Sequence, residues 1–262
     1  MTTNISSVTN ILTDYRPRFF REIVGQKKIV SQICQMVAKD IVPSAVLFSG
    51  GMGSGKTTLA RALTRAMSCL NWILGQSEPC GECHSCLCMA NVPMGVNVHY
   101  YYAGAPISDD LLRGVIRTVS QGHSLWEGGR RSILLIDDLE NTLSKKQQML
   151  LRSSLDERWP RGMLISTTMD SSKIDPPLRQ RLMECPVTPA EPEELEKWAR
   201  EIAVSKIGLK LAEKGAIAEL VRSGESNFRS ILCIVQTLRA DMTPLTCTNV
   251  KLAAIQSRIG SV

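Results

Sequence analysis

Gly50-Gly51-Met52-Gly53-Ser54-Gly55-Lys56-Thr57 places four glycines, a lysine and a hydroxyl at the spacing of a phosphate-binding loop. Glycines let consecutive backbone N–H groups turn inward around a triphosphate, and the N-terminus of a following helix adds its positive end. At this spacing Lys56 reaches the β- and γ-phosphates, the Thr57 hydroxyl suits a Mg²⁺ ion, and Thr58 continues the cradle into the helix. The chemistry implied is binding of a nucleoside triphosphate, ATP in the first instance.

Phosphoryl chemistry also needs an acid beside the metal and the attacking water. Ser132-Ile133-Leu134-Leu135-Ile136-Asp137-Asp138 supplies one, because four apolar residues form a buried strand and the carboxylates emerge at its end. Asp137 is the expected Mg²⁺ partner, and Asp138 stands where a water-polarising carboxylate belongs.

A third group of residues is metal-ligating in type. The chain has nine cysteines, and Cys69, Cys80, Cys83 and Cys86 follow the spacing C-x10-C-x2-C-x2-C. Four thiolates satisfy tetrahedral Zn²⁺, and closing all four positions makes such a site structural rather than catalytic. Cys88 is a fifth thiol and His84 lies inside the loop, so the ligand set is open at this point.

Elements able to position these residues are legible as an alternation of strands and helices. A helix is expected over residues 27–38, a strand over 45–49, and a helix behind the phosphate loop. Further strands are expected at 96–101, 132–136 and 163–168, with helices at 109–119 and 144–155. Such alternation implies an α/β fold with a parallel sheet covered by helices on both faces. Pro186, Pro189 and Pro192 then interrupt the pattern, and beyond them it is helical only, over 193–206, 212–222, 227–239 and 250–257. The expected organisation is a nucleotide domain at 1–186 with the cysteine module at 69–88, a helical domain at 187–243, and a tail at 244–262.

Composition sets outer bounds. Hydrophobic residues at 44% and charged residues at 21% describe an ordinary globular chain. A net charge of +6 is compatible with an anionic partner such as nucleic acid without requiring one. No apolar run approaches the ~18 residues of a membrane span, and residues 1–13 lack the pattern of a secretory leader. The expectation is a cytoplasmic protein with no membrane partner.

With Tyr15-Arg16-Pro17 leading to Phe20 and then to Val24-Gly25-Gln26, the motifs together resemble the AAA+ ATPases. Within them the chain is similar to the gamma/tau clamp-loader family of bacterial DNA polymerase III, whose members carry a four-cysteine zinc module after the phosphate-loop helix. The resemblance implies an AAA+ phosphate-loop domain, an inserted zinc module and a small all-α lid. It places Tyr15, Arg16, Pro17 and Val24 against the adenine, gives Thr168 the role of sensing the γ-phosphate, and makes Arg229 of Ser226-Asn227-Phe228-Arg229-Ser230 the lid arginine that reaches the nucleotide. It sets Arg181 of Pro177-Leu178-Arg179-Gln180-Arg181-Leu182 as the arginine acting on a neighbour's ATP, with Arg179 competing for that role.

Two departures qualify the likeness. The family has Asp-Glu where this chain has Asp137-Asp138; aspartate is one methylene shorter, so ATP binding is expected with slow hydrolysis, Glu140 being a partial substitute. Members continue into a third helical domain, the collar of a pentamer, for which residues 244–262 are too short. The implied function is a clamp-loader-like subunit, acting with other clamp-loader subunits, a sliding clamp and primed DNA, and assembling as a hetero- or homo-oligomer through its AAA+ faces. Lys145, Lys146, Arg113, Arg117, Arg130 and Arg131 are candidate phosphate contacts. The alternatives are an ATP- and zinc-stabilised interaction subunit with little hydrolysis, and an AAA+ regulator outside replication.

Overall fold

The computed structural model describes residues 11–90, 95–122 and 130–259. Most of the stretch read for a leader, residues 1–10, therefore lies outside the described residues. In chain order the helices are α1 (Ile11–Asp14), α2 (Lys27–Ala38), α3 (Lys56–Met67), α4 (His84–Cys88), α5 (Asp109–Gln121), α6 (Leu139–Thr142), α7 (Lys145–Leu155), α8 (Pro176–Arg179), α9 (Pro192–Arg200), α10 (Ala216–Ser223), α11 (Phe228–Ala240) and α12 (Cys247–Ile259). The strands are β1 (Ala45–Ser49), β2 (Val98–Tyr101), β3 (Ser132–Ile136), β4 (Gly162–Thr168) and β5 (Met183–Pro186). The described residues divide into two units, one within 17–188 and one joining residues 11–16 to 189–259.

The first unit holds one sheet in the order β2-β3-β4-β1-β5, and every pairing is parallel. Strand residues alternate between two cores, as a period of two demands. Val46, Phe48, Ile133, Leu135 and Ile165 face α2 and α3, packing with Ile33, Val37, Leu59 and Leu63. Leu47, Leu134, Ile136 and Leu164 face the other way, toward Leu112 and Val119 of α5 and Leu151 of α7. These side chains are fully buried, so trimming a leucine such as Leu47 or Leu134 to alanine costs about 2–5 kcal/mol.

This order matters for the site. Strand β4 lies between β1 and β3, so the phosphate loop after β1 and the acids after β3 come out on either side of the β4 C-terminal end. Ligands of open α/β sheets gather at such carboxyl ends.

The second unit is helical. Apolar residues of α9, α10 and α11, among them Leu195, Leu220, Ile231 and Val235, are buried, and α12 packs on α10 and α11. Three details differ from the sequence expectation. Strand β5 was not expected, because Met183-Glu184-Cys185-Pro186 is only four residues long and runs into the prolines read as a boundary. Helix α10 starts at Ala216 rather than 212, because Leu211 bridges Leu245 and Gly215 caps the helix with φ +98°. The helix expected over 250–257 is longer, α12 running over thirteen residues from Cys247 to Ile259. Among the described residues no helix is long and apolar enough to cross a membrane.

Candidate functional site

Strand β1 delivers the chain into the loop through Gly50, where only glycine fits. Its φ is +150°, and an added Cβ would stand 2.3 Å from the Val187 carbonyl oxygen. That carbonyl belongs to the residue whose own N–H donates to Ser49 O at 2.7 Å, so the loop mouth is clamped to the end of β5. The Gly50 N–H donates to Thr168 O, fixing the other side to β4. Within the loop, the Ser54 hydroxyl and the Lys56 ammonium both donate to Gly51 O, at 2.9 and 2.7 Å. Lys56 is only 6% exposed, so its charge is held beneath the loop at the start of α3. Gly55, at φ +103°, is the cap of α3. The first turn of a helix is where backbone N–H groups and the positive helix end can receive an anion, and the loop opens onto that turn of α3.

The acid sits directly across from this turn. Thr57 Oγ1 donates to Asp137 Oδ1 at 2.9 Å, and Thr167 Oγ1 donates to the same oxygen at 2.5 Å. Thr167 also accepts the Asp138 N–H at 2.9 Å, and the Thr142 hydroxyl donates to the Asp137 carbonyl oxygen at 2.6 Å. The acidic turn is thereby pinned from β4 and α6. Asp138 has φ +50° and ψ +61°, the left-handed conformation that aspartate tolerates better than most residues.

The strand-end threonines divide their work differently from the expectation. Thr168 is fully buried and its hydroxyl accepts the Asp170 N–H at 3.1 Å, whereas Thr167 contacts the acid. Glu140 does not approach as a spare base either: its Oε1 accepts the Met169 N–H at 2.8 Å, and its Oε2 is buried without a hydrogen-bond partner among the described residues.

Both arginines of the finger segment are engaged within the first unit. Arg181 Nε lies 2.5 Å from Asp156 Oδ1 and its guanidinium donates to Pro177 O, holding the Asp156 carboxyl below its ordinary range. Arg179 pairs with Glu184 at 3.0 Å. Burial pushes the Glu184 carboxyl up, but hydrogen bonds from Ser49, Arg179 and Ser171 outweigh it and hold the group low. Pro17 and Val24 belong to this unit; Tyr15, Arg16 and Arg229 belong to the helical one. There the Tyr15 hydroxyl donates to Lys206 O at 3.4 Å, and Arg229 is exposed in the first turn of α11, which Asn227 caps.

Four sulfurs, those of Cys69, Cys80, Cys83 and Cys86, lie within 4.8 Å of one another. Backbone N–H groups of Cys80, Cys83 and Cys86 point at the sulfurs of Cys69, Cys80 and Cys83, at 3.3, 3.2 and 3.5 Å. Such donors favour thiolates. Cys69 is held down to about 5, first by the Cys86 thiol donating to it, while Cys86 is raised by giving that bond and by burial. Tetrahedral Zn²⁺ fits this set in ligand number and type. Cys88 and His84 stand apart from it, with Cys88 Sγ 3.6 Å from His84 Nε2 on the exposed side of α4.

The remaining candidate cations separate into two groups. Arg130 is committed: it donates to Val37 O and Asp40 Oδ1 and lies 3.4 Å from the Trp72 ring centroid, and Arg131 is 3.7 Å from the same aspartate. Lys146 pairs with Asp109 at 2.7 Å, and Lys145 donates to Lys173 O. Arg113 and Arg117 instead line a groove of about 730 Å³ between α5 and α7, together with Arg158.

Sequence reasoning missed Thr167, whose signal was only one of three consecutive hydroxyls, and Glu78, whose carboxylate accepts the Phe20 and Arg21 N–H groups from 58 and 57 residues away.

Comparison with known proteins adds the following. The family model for the DNA polymerase III delta subunit matches residues 25–190. DNA polymerase III subunit gamma/tau of Mycoplasma genitalium is 26% identical over 160 residues, which are 61% of this chain and 26% of that protein. DNA polymerase III subunit gamma of Buchnera aphidicola is 43% identical over 72 residues, 28% of this chain and 19% of that one. The chain thus spans about a quarter or less of the length of these relatives. Among solved structures, the Thermotoga maritima RuvB Holliday junction branch migration motor aligns with a TM-score of 0.62 at 18% identity, over 92% of this chain and 72% of that one. Identity that low speaks for the fold alone, and the fold is of the AAA+ type.

Proposed function

This chain belongs to the DNA polymerase III delta subunit family, and on that footing we propose that it is an ATP-binding, clamp-loader-like subunit of a replication assembly. The observation that carries the reading is the Thr57–Asp137–Thr167 cluster facing the phosphate loop. Gly50 to Thr58 would cradle the triphosphate of ATP. Thr57 and Asp137 would hold Mg²⁺, which when bound neutralises phosphate charge. In this reading the Thr57 hydroxyl turns one lone pair to the cation while Thr167 keeps the carboxylate in place. Zn²⁺ held by Cys69, Cys80, Cys83 and Cys86 would be structural.

Asp138 is the residue we assign to orienting the attacking water, and Arg181 or Arg179 the one offered to a neighbour's nucleotide after leaving its partner in this chain. Tyr15, Arg16, Pro17 and Val24 would meet the adenine, Thr168 would report on the γ-phosphate through the Asp170 turn, and Arg229 would close from the lid. The partners are other clamp-loader subunits, a sliding clamp and primed DNA, in the cytoplasm. Domain limits of 1–186, 187–243 and 244–262 belong to the same reading.

A second reading is an interaction subunit that binds ATP with little hydrolysis. It is favoured by Glu140, whose Oε1 is committed to Met169. Titration with a fluorescent ATP analogue, followed by single-turnover hydrolysis with and without primed DNA and clamp, tests both. Stimulated turnover supports the first, binding without turnover under every partner supports the second, and no nucleotide binding overturns both.

A further inference from the structure

In the segment that leads into the sheet unit, every backbone N–H from Arg18 to Ile23 has an acceptor. The N–H groups of Arg18 and Phe19 donate to Glu22 Oε2 at 2.7 and 3.2 Å, and those of Glu22 and Ile23 donate to the carbonyls of Phe19 and Phe20. The two left over, at the start of the 3₁₀ turn Phe20–Glu22, find their acceptor outside the segment. Phe20 N–H donates to Glu78 Oε2 at 2.9 Å, and Arg21 N–H to Glu78 Oε1 at 2.8 Å. One carboxylate therefore satisfies both orphan donors of a helical N-terminus, with charge of the favourable sign.

Glu78 in turn is held by the sulfur module. Pro79 fixes the chain between it and Cys80, whose N–H donates to Cys69 Sγ. Three residues beyond Glu78, Gly81 adopts φ +82° and lets the Phe19 ring approach so closely that a Cβ would stand 2.8 Å from its Cζ. The Arg21 guanidinium covers the same ring at 4.2 Å from its centroid. Gathering four thiolates around a metal fixes Cys80, and with it the carboxylate that ends the Phe20 and Arg21 amides.

We infer that Glu78 is a positioning residue through which metal occupancy of the cysteine module orders residues 17–24. The inference rests on the proposal that the four cysteines hold a metal, and it adds a consequence: loss of metal loosens the segment proposed to meet the base.

The test is hydrogen exchange of the Phe20 and Arg21 amides in the full chain, loaded with cobalt and after chelation, for wild type, Glu78→Ala and Glu78→Gln. Cobalt reports tetrathiolate binding by its absorbance. In wild type, chelation speeds exchange at Phe20 and Arg21 by about tenfold or more, and Glu78→Ala does so with cobalt bound. Chelation adds little in Glu78→Ala, and Glu78→Gln, which keeps an acceptor, recovers part of the protection. The Arg18 and Phe19 amides, held by Glu22, move less. An equal response to chelation in wild type and Glu78→Ala, with normal cobalt spectra in both, overturns the role of Glu78 alone. Absence of a tetrathiolate spectrum in wild type overturns the metal reading and the inference with it.

Discussion

Thr167 Oγ1 donates to Asp137 Oδ1 at 2.5 Å while accepting the Asp138 N–H at 2.9 Å, so one hydroxyl ties both acids of the β3 end to β4. Replacing it with valine keeps the shape and removes both bonds. The Asp138 N–H then loses this acceptor, and the Asp137 carboxylate keeps the Thr57 bond.

Thr167→Val is therefore expected to cost about 1–3 kcal/mol in denaturant unfolding. It should also weaken Mg²⁺-dependent binding of an ATP analogue more than Thr168→Val does, since the Thr168 hydroxyl serves the Asp170 turn. Equal Mg²⁺ dependence in the two variants would show that Thr167 does not support the metal site through Asp137.

The two threonines show where sequence reading stops. Strand, loop and helix around Gly50–Thr57 were legible because their signals are local: an apolar run, glycines at fixed offsets and a helical pattern. The β3 acids were legible for the same reason, as were the four cysteines, whose spacing is a property of the ligand turns themselves. Adjacent strand residues face opposite ways, however, so Ser166-Thr167-Thr168 offers three hydroxyls and only the register of β4 against β3 selects one. Strand β5 is only four residues long and was hidden by the proline-rich boundary it runs into. Glu78 is recognised only when the leading segment folds back onto the cysteine module, a contact that no short-range pattern encodes.

Cys86 and Cys88 are two residues apart and have different surroundings. Cys86 is buried among the other three sulfurs, and Cys88 is exposed beside His84. Cys86→Ser should abolish stoichiometric zinc in the purified chain, while Cys88→Ser should retain about one zinc per chain, as four thiolates close the coordination sphere. Atomic absorption on both variants checks this. Equal loss in the two would place Cys88 in the ligand set.

Arg130 and Arg117 were both candidates for phosphate contact, and their environments separate them. The Arg130 side chain is 8% exposed, stacked on Trp72 and bonded to Val37 O and Asp40. Removing it leaves Asp40 and a backbone carbonyl short of a donor. Arg130→Ala should cost about 2–4 kcal/mol by urea unfolding. Arg117→Ala, on an exposed helix face, should stay within about 0.5 kcal/mol. If Arg117 and Arg113 meet a polyanion, their double replacement should weaken DNA binding and flatten its salt dependence, with Arg130 contributing through stability only.

In the proposed function, Asp138 is the residue that decides how far binding leads to turnover. Its backbone is held in the left-handed region by the Thr167 bond, and its side chain is one methylene shorter than a glutamate. Glu140 Oε1 accepts the Met169 N–H, which ties that carboxylate to the β4 end rather than to a substitute role. Asp138→Glu should therefore raise the single-turnover hydrolysis rate, by about tenfold or more if the carboxylate gains the water as a general base, while leaving ATP-analogue affinity within about twofold. Lys56→Ala should give the opposite signature, a loss of affinity, because in the proposed function its ammonium, which donates to Gly51 O at 2.7 Å, is the charge that would meet the phosphates. A wild-type rate equal to or above that of Asp138→Glu would mean that aspartate already reaches the water, and that slow hydrolysis is not built into this acidic turn.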